Sequence, residues 1–237
     1  MREKVVGILG GMGPEATLDC FGKIIRSTRA KKDQDHLRFI VDSNSKVPDR
    51  TAAVLGKGPS PVPALVESAL LLARGGADFI IIPCVSAHVF LEEVRAQVDV
   101  PIVSMLDVVA RAVVEARPPI RTVGLLGTTG TIRAGRFERR LAREGMTVLV
   151  PDDASQERVM AAIYDIKDLA TARSRSTITA ELVAVAEALI SRGAQAIVAG
   201  CTEIPLALNQ ESLRVPYFDS VLVLARAAVD RAGGTLT

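Results

Sequence analysis

Residues 6–10, VGILG, and residues 123–127, VGLLG, are near-copies of one another, 117 positions apart. Each is a short apolar run that ends in glycine, which is typical of a buried strand followed by a tight turn. Three further features recur at a spacing of 117 or 115: GGAD at 75–78 with RGAQ at 192–195, Cys84 with Cys201, and VVARA at 108–112 with VLARA at 223–227. A spacing held over separate features predicts two copies of one structural unit.

Apolar, β-branched runs alternate with stretches of helical period in both halves of the chain. The runs are KVVGILGG, LRFIVDSN, ADFIIIPC and PIVSM, then RTVGLLGTT, MTVLVP, AQAIVAGC and VPYFDS. This alternation predicts an α/β protein with parallel sheets, arranged as two similar Rossmann-like lobes related by a pseudo-two-fold axis. We place the lobes at 1–117 and 118–219, because Pro118–Pro119 interrupts a helix there. A helix over about 220–237 is expected to pack back on the first lobe.

The composition argues against several kinds of partner. A formal net charge of +2 gives no electrostatic reason to expect nucleic acid or an anionic membrane surface. No run approaches the roughly 18 apolar residues of a membrane span, and the first residues lack a signal-peptide pattern. The three cysteines have no metal-ligand spacing. We therefore expect free thiols in a reducing cytoplasm, and no metal site.

Cys84 and Cys201 each follow the equivalent strand of their own lobe. In open parallel sheets, ligands bind outside the carboxyl ends of the strands. Facing lobes would therefore bring the two thiols to opposite sides of one cleft. A thiolate that takes a proton from one face of a carbon, and a thiol that donates from the other, would invert that carbon. Both cysteines precede helix-like stretches, whose dipoles could lower a thiol pKa.

The simpler interpretation is that buried cysteines are ordinary small hydrophobic residues. That interpretation is favoured for Cys20, which lies in a helical pattern and has no counterpart in the second half. It is weaker for Cys84 and Cys201, because the two occupy matched positions.

Other residues near the predicted strand ends are candidates for substrate binding. The glycine-rich turn GILGGMGPEAT offers backbone N–H groups for a carboxylate, or is simply a tight turn. Its counterpart GLLGTTGTIRAG adds the hydroxyls of Thr128, Thr129 and Thr131. Residues 43–56 are predicted to be a loop, in which Arg50 either binds a carboxylate or is a solvated surface residue. His88 either tunes Cys84 or packs structurally, and Lys167 is a single cation in an amphipathic segment.

Five ordered motifs resemble the aspartate/glutamate racemase family. They are GGMGPEAT, PDRTAAVLG, PC-x-x-AH, IYDIK and GCTEIPL, and they cover nearly the whole chain. The resemblance implies a two-lobed fold and a two-base racemase that needs no cofactor, neither pyridoxal phosphate nor a metal. Cys84 and Cys201 match the catalytic thiols, while Arg50 and Lys167 match the residues associated with acidic side chains. The remaining substrate-binding candidates are Gly11, Met12, Thr51, Val85, Ser86, Thr129, Thr131, Thr202 and Glu203. A homodimer is expected by the same analogy.

One departure from the family pattern bears on the substrate. The family usually has PCNTAH where this chain has Cys84-Val85-Ser86-Ala87-His88. Losing a side-chain hydrogen bond to a charged group would cost about 1.5–3 kcal/mol. The alternative is a different substrate that suits an apolar valine. Rival activities are maleate cis–trans isomerase, hydantoin racemase, or a small-carboxylate binding protein without turnover. A nucleotide-dependent enzyme is the remaining alternative.

Overall fold

Strands and helices alternate along the computed structural model, which describes residues 3–168, 170 and 173–237. The strands are β1 (Val6–Gly10), β2 (Phe39–Ser43), β3 (Phe79–Ile81), β4 (Thr122–Gly127), β5 (Thr147–Leu149), β6 (Ala196–Gly200) and β7 (Tyr217–Phe218). The helices are α1 (Pro14–Ser27), α2 (Arg50–Val54), α3 (Val62–Arg74), α4 (Leu91–Arg95), α5 (Met105–Val114), α6 (Thr129–Ala134), α7 (Arg136–Ala142), α8 (Asp153–Lys167), α9 (Arg175–Ser191) and α10 (Ser220–Ala232).

The chain forms two compact units. One comprises the residues up to Val108 together with Val221–Thr237, and the other comprises Val109–Ser220. The first unit holds a parallel sheet in the order β2-β1-β3, and the second a parallel sheet in the order β5-β4-β6-β7. The two copies of the repeated glycine-ended run are β1 and β4, which occupy equivalent positions inside their sheets. The predicted α/β class with parallel sheets is confirmed.

The PIVSM run at 101–105 was expected to be a strand, and this expectation is wrong. The structure has only an isolated parallel bridge between Ile80 and Ile102. Two backbone hydrogen bonds form there, from Ile80 N to Pro101 O and from Val103 N to Ile80 O. The chain then enters α5 at Met105, so the ladder cannot continue. In the second unit, β7 pairs with β6 over two residues.

Helix α3 shows how the core of the first unit is built. Leu65, Ala69 and Leu72 lie at i, i+4 and i+7 and are fully buried, while Leu71 is half exposed. Burying a side chain of leucine size contributes about 1.5–3 kcal/mol. Cys20 in α1 is also fully buried, in keeping with its interpretation as a core residue.

Helix α10 belongs to the first unit although it comes last in the chain. The backbone N–H of Lys4 donates to Ala232 O at 3.2 Å, and that of Arg29 donates to Thr235 O at 2.8 Å. The Arg231 guanidinium lies 5.4 Å from the centre of the Phe79 ring. Across the described ranges of the chain, no helix is long and apolar enough to cross a membrane.

Candidate active site

The turn after β1 has little room for side chains at its first position. Gly11 has φ +90°, and a Cβ there would lie 2.3 Å from the backbone carbon of Asn44. Its N–H donates to the Thr17 hydroxyl at 2.8 Å, so α1 fixes the turn from within. The next residue, Met12, is buried and packs in the same apolar cluster as Cys84. Gly11 and Met12 therefore belong to the rigid base of the candidate site.

Arg50 is a buried cation whose partners are backbone carbonyls. Its guanidinium donates to Val47 O at 3.1 Å, to Pro48 O at 2.9 Å and to Met12 O at 3.3 Å. The residue is 8% exposed, and its Nε has no hydrogen-bond partner among the described residues. Within that part of the chain no carboxylate neutralises it. A buried guanidinium with a spare donor is suited to binding an anion.

Arg50 opens a helix where a loop was predicted, so that prediction for residues 43–56 is wrong over Arg50–Val54. The Asp49 carboxylate accepts a hydrogen bond from Ala52 N at 2.7 Å, which caps α2. Helix α2 packs against the 3₁₀ turn Ser86–Phe90. Thr51 therefore lies on a helix, α2, that contacts the 3₁₀ turn in which Ser86 stands.

Cys84 lies just beyond β3 as a free, buried thiol. Val85 is 3% exposed and Ser86 is 7% exposed. The helix-like stretch that follows begins as the 3₁₀ turn and becomes the α-helix α4 at Leu91. Met12 connects two of the candidates, because its carbonyl accepts from Arg50 and its side chain shares an apolar cluster with Cys84, while α2 packs against the turn that holds Ser86.

His88 holds the backbone of Cys84 and does not contact its thiol through any described hydrogen bond. Its Nδ1 lies 2.8 Å from Cys84 O, and its Nε2 accepts a hydrogen bond from Met105 N at 2.9 Å. A carbonyl only accepts, so Nδ1 carries the proton and the ring is neutral. Burial lowers the pKa of His88 from 6.5 to about 4. His88 therefore links the Cys84 turn to the start of α5.

Stability is expected to fall as the pH drops from about 6.5 to about 4. The unfolded chain protonates His88 near pH 6.5, whereas the folded protein does so only near its lowered pKa of about 4. The unfolded state thus binds more protons across this window. The shift corresponds to on the order of 3 kcal/mol, at about 1.4 kcal/mol per pKa unit. Urea unfolding at several pH values measures the free energy of unfolding.

The matched variant for this test is His88→Gln, which removes the titration. The wild type should lose more free energy of unfolding than the variant between about pH 7 and pH 4.5. Equal losses in the two proteins would contradict the assignment of the neutral, buried ring.

In the second unit, Cys201 directly follows β6 and its thiol is bonded to a carboxylate. The thiol donates to Glu203 Oε2 at 2.9 Å, and both residues are at least 95% buried. The Thr202 hydroxyl donates to the same oxygen at 3.4 Å. Lys167 Nζ, at the end of α8, lies 3.6 Å from Glu203 Oε1. The structure therefore groups Lys167, Cys201, Thr202 and Glu203 around one buried carboxylate.

The expectation that a helix dipole lowers the thiol pKa is wrong for Cys201. Burial first, and then the Glu203 carboxylate, raise its pKa well above the ordinary value, while Lys167 acts in the opposite direction. The following helical segment is only the 3₁₀ turn Ile204–Leu206, which is too short for a strong dipole. At neutral pH Cys201 is therefore the protonated thiol that donates to Glu203.

Thr129 and Thr131 lie on α6, outside the group of residues around Glu203. The Thr129 N–H donates to Met160 Sδ at 3.1 Å, and its hydroxyl accepts from Gln156 Nε2 at 3.3 Å. Met160 precedes Lys167 by seven residues, or about 10 Å along the helix. Thr129 lines a cavity of about 680 Å³ with Gln156 and Met160. The Thr131 and Thr128 hydroxyls are 3.1 Å apart at the start of α6.

A metal centre would need several ligating side chains in one place. Within residues 3–168, 170 and 173–237, no three His, Cys, Asp or Glu side chains are grouped so that they could hold a metal ion. Cofactor independence remains a prediction.

Comparison with known proteins assigns this chain to a family. The sequence matches the Asp/Glu/hydantoin racemase family over residues 9–228. Picrophilus torridus aspartate racemase superposes with a TM-score of 0.88 at 29% identity, over 99% of this chain and 96% of that chain. An aspartate racemase homologue from Pyrococcus horikoshii OT3 gives a TM-score of 0.76 at 28% identity, over 97% and 99%. The broad specificity amino-acid racemase RacX of Bacillus subtilis (strain 168) is 27% identical over 240 residues, 95% of this chain and 96% of the relative.

The fold and these relationships define an isomerase of the amino-acid racemase class. The chain belongs to the Asp/Glu/hydantoin racemase family. The family resemblance carried by the five sequence motifs is confirmed.

Proposed function

We propose that this protein interconverts the L and D forms of aspartate, glutamate or a closely related amino acid by two-thiol proton exchange, without a cofactor. The observation that carries the proposal is the pair of buried free thiols at equivalent strand ends of the repeated unit. One of them, Cys201, is already hydrogen-bonded to a buried carboxylate. A simple binding protein has no use for such a pair.

The proposed reaction needs one thiolate and one thiol at the same α-carbon. Cys84, as thiolate, takes the α-proton, and the bonding electron pair passes into the adjacent carboxylate. Cys201 then gives its S–H proton to the opposite face of the carbon, which completes inversion and leaves Cys201 as the thiolate. The reverse direction starts from that state. The raised pKa of Cys201 suits this cycle, because a thiolate of higher pKa is a stronger base.

Glu203 is proposed to act on Cys201, in addition to the substrate-binding role expected from its motif. Its carboxylate holds the thiol proton in place before the transfer and makes the resulting thiolate more basic afterwards. Lys167, 3.6 Å from Glu203, offsets the second negative charge that forms when Cys201 loses its proton. Lys167 thus serves both this pair and, as the family pattern implies, an acidic substrate.

Arg50 is proposed to bind the side-chain carboxylate of the substrate. Its charge is buried, its described partners are carbonyls, and its Nε is unsatisfied. Gly11, Met12, Thr51 and Ser86 in the first unit, and Thr202 in the second, are proposed to bind the substrate, as the family motifs imply.

Replacing Arg50 with Met is expected to reduce kcat/KM for aspartate about ten- to hundred-fold, from the 1.5–3 kcal/mol of a charged hydrogen bond. The loss should be much smaller for alanine, which has no side-chain carboxylate. Steady-state kinetics with both amino acids measures the difference. Arg74→Met, at the exposed end of α3, is the matched control. Equal losses for aspartate and alanine would contradict the assignment.

A broader substrate range is the second candidate, and Val85 is the observation that favours it. Val85 is buried beside Cys84, where the family usually has asparagine. An apolar wall there suits amino acids with apolar side chains, and one relative is named a broad specificity racemase. Assays of wild type and Val85→Asn against acidic and neutral amino acids separate the candidates. A preference that shifts toward aspartate in the variant favours the broad range.

The remaining alternatives predict different results in an activity assay. A maleate isomerase would use one cysteine as a nucleophile toward carbon, and a hydantoin racemase would leave Arg50 without a substrate carboxylate. A binding protein would show no exchange at all. The cytoplasmic location and the homodimer remain predictions.

A further inference from the structure

A cavity of about 680 Å³ lies between α6 and α8 in the second unit. Residues of both helices line it, together with Val150 and Pro151, which follow β5. We call it the α6–α8 cavity. None of the four residues grouped around Glu203 lines it, so it is a different site from that group. Its volume is within the usual range for small-molecule sites, roughly 300–1,000 Å³.

The α6–α8 cavity lies at the carboxyl edge of the second sheet. Gln156, near the start of α8, donates from Nε2 to Gly127 O at 3.0 Å, and Gly127 is the last residue of β4. Pro151 lies just beyond β5, the strand that pairs with β4. In open parallel sheets, ligands bind outside the carboxyl ends of the strands. The fold therefore puts this cavity where a ligand is expected.

Four of the residues that line the cavity are apolar. They are Ile132 of α6, Val150, Pro151 and Met160 of α8. Ile132, Val150 and Met160 are only partly buried, so apolar surface is left for an occupant to cover. Burying such surface is favourable for a ligand with apolar side chains.

Gln156 brings an unused hydrogen-bond acceptor to the cavity. Its Nε2 donates to Gly127 O and, at 3.3 Å, to Thr129 Oγ1. A carbonyl only accepts, so the orientation of the amide is fixed and Oε1 is the free end. In the described part of the chain, this Oε1 is buried and has no hydrogen-bond partner. An unsatisfied buried acceptor is costly, and a ligand N–H would remove that cost.

Charges of both signs line the cavity. Arg133 of α6 and Asp153 and Glu157 of α8 are exposed, and none of the three forms an ion pair with another described residue. Asp153 and Glu157 are four residues apart, so their carboxylates lie on the same side of the helix and suit an ammonium group. The Arg133 guanidinium suits a carboxylate. The cavity therefore matches a ligand that carries both charges.

We propose that the α6–α8 cavity binds a short peptide with free termini and apolar side chains, of which a dipeptide is the smallest form. The terminal ammonium lies against Asp153 and Glu157, the terminal carboxylate against Arg133, and the peptide N–H donates to Gln156 Oε1. A free amino acid has only its ammonium to donate, so it cannot serve the two carboxylates and Gln156 together. This binding site goes beyond the proposed racemase activity and does not depend on it.

Isothermal titration calorimetry of the whole chain with L-leucyl-L-leucine tests the proposal. The dissociation constant should be about 0.1–1 mM, as expected for a ligand of this size with ordinary contacts. Free L-leucine, the N-acetylated dipeptide and the dipeptide amide should each bind about tenfold more weakly, because each lacks one of the matching groups. A dipeptide that does not bind would overturn the proposal, and so would free leucine that binds equally well.

Variants locate the bound peptide. Arg133→Met should weaken dipeptide binding about tenfold, and Glu157→Gln about threefold, since Asp153 remains. Arg158→Met is the matched control, because Arg158 is exposed on α8 and does not line the cavity. Arg50→Met, in the first unit, should also leave the dissociation constant unchanged, as should an excess of aspartate.

The measurement reads binding rather than turnover, so a protein without racemase activity would still give the expected result. Thermal unfolding of each variant checks that it is folded. Dipeptide binding that Arg133→Met leaves unaltered would overturn the proposal. So would binding that is lost in Arg50→Met or displaced by aspartate, because the peptide would then occupy the candidate active site.

Discussion

Changing either Cys84 or Cys201 to serine is expected to lower the rate of racemisation by about 10²–10⁴-fold, which is the usual contribution of a general acid or base. A serine hydroxyl can occupy the position, but it is far less acidic than a thiol. Each single change removes one of the two proton-transfer groups, so both variants should lose inversion in both directions. The measurement is circular dichroism of the amino-acid substrate over time.

The matched control for these variants is Cys20→Ala. Cys20 is buried in α1 of the first unit and takes no part in the proposed exchange. It should keep most of the activity, at the cost of some stability from lost packing. A Cys84→Ser or Cys201→Ser enzyme with near wild-type rates would remove that residue from the mechanism.

Changing Glu203 to Gln is expected to make Cys201 more reactive toward alkylation while it slows racemisation. The carboxylate is, after burial, the largest cause of the raised pKa of Cys201. Without its charge, and with Lys167 still nearby, the thiol ionises at lower pH. Alkylation by iodoacetamide at neutral pH should become about tenfold faster or more. Racemisation should slow because the thiolate that forms is a weaker base.

The alkylation rate is best read in a background of Cys20→Ala and Cys84→Ala, where Cys201 is the remaining cysteine. Glu211→Gln, an exposed change in the same unit, is the control and should leave the rate unaltered. If Glu203→Gln left the pH dependence of alkylation unchanged, the carboxylate would not control the thiol. A purely structural role for Glu203 would lower stability without moving this pH dependence.

Much of the fold follows from local sequence pattern. The repeated VGILG and VGLLG runs became the equivalent strands β1 and β4, because buried parallel strands need continuous apolar residues and glycine-ended turns. The pattern failed where tertiary contacts decide the outcome. PIVSM has strand composition, but its ladder stops after one bridge because α5 begins at Met105. Residues 43–56 have loop composition, yet a cap by Asp49 allows the short helix α2.

The candidate site could be predicted as a set of residues but not as a set of contacts. The motifs pointed to Arg50, Cys201 and Glu203 from residue type and order. The sequence could not show that three backbone carbonyls accept hydrogen bonds from the Arg50 guanidinium. One of them is Met12 O, which belongs to a residue 38 positions away in the chain. Nor could it show that Lys167 reaches Glu203, because that distance depends on how α8 packs against the 3₁₀ turn Ile204–Leu206. The direction of the Cys201 pKa shift depends on its burial and on the nearby Glu203 carboxylate, which residue order alone does not give.

The most direct test of the two-thiol mechanism is α-proton exchange in D₂O, followed by NMR. L- and D-aspartate and L- and D-glutamate would be separate substrates, with wild type, Cys84→Ser and Cys201→Ser as the enzymes. The wild type is expected to incorporate deuterium at the α-carbon together with inversion, and inversion should be lost in both variants. Inversion that persists in either serine variant, or no exchange with any amino acid tested, would contradict the two-thiol mechanism.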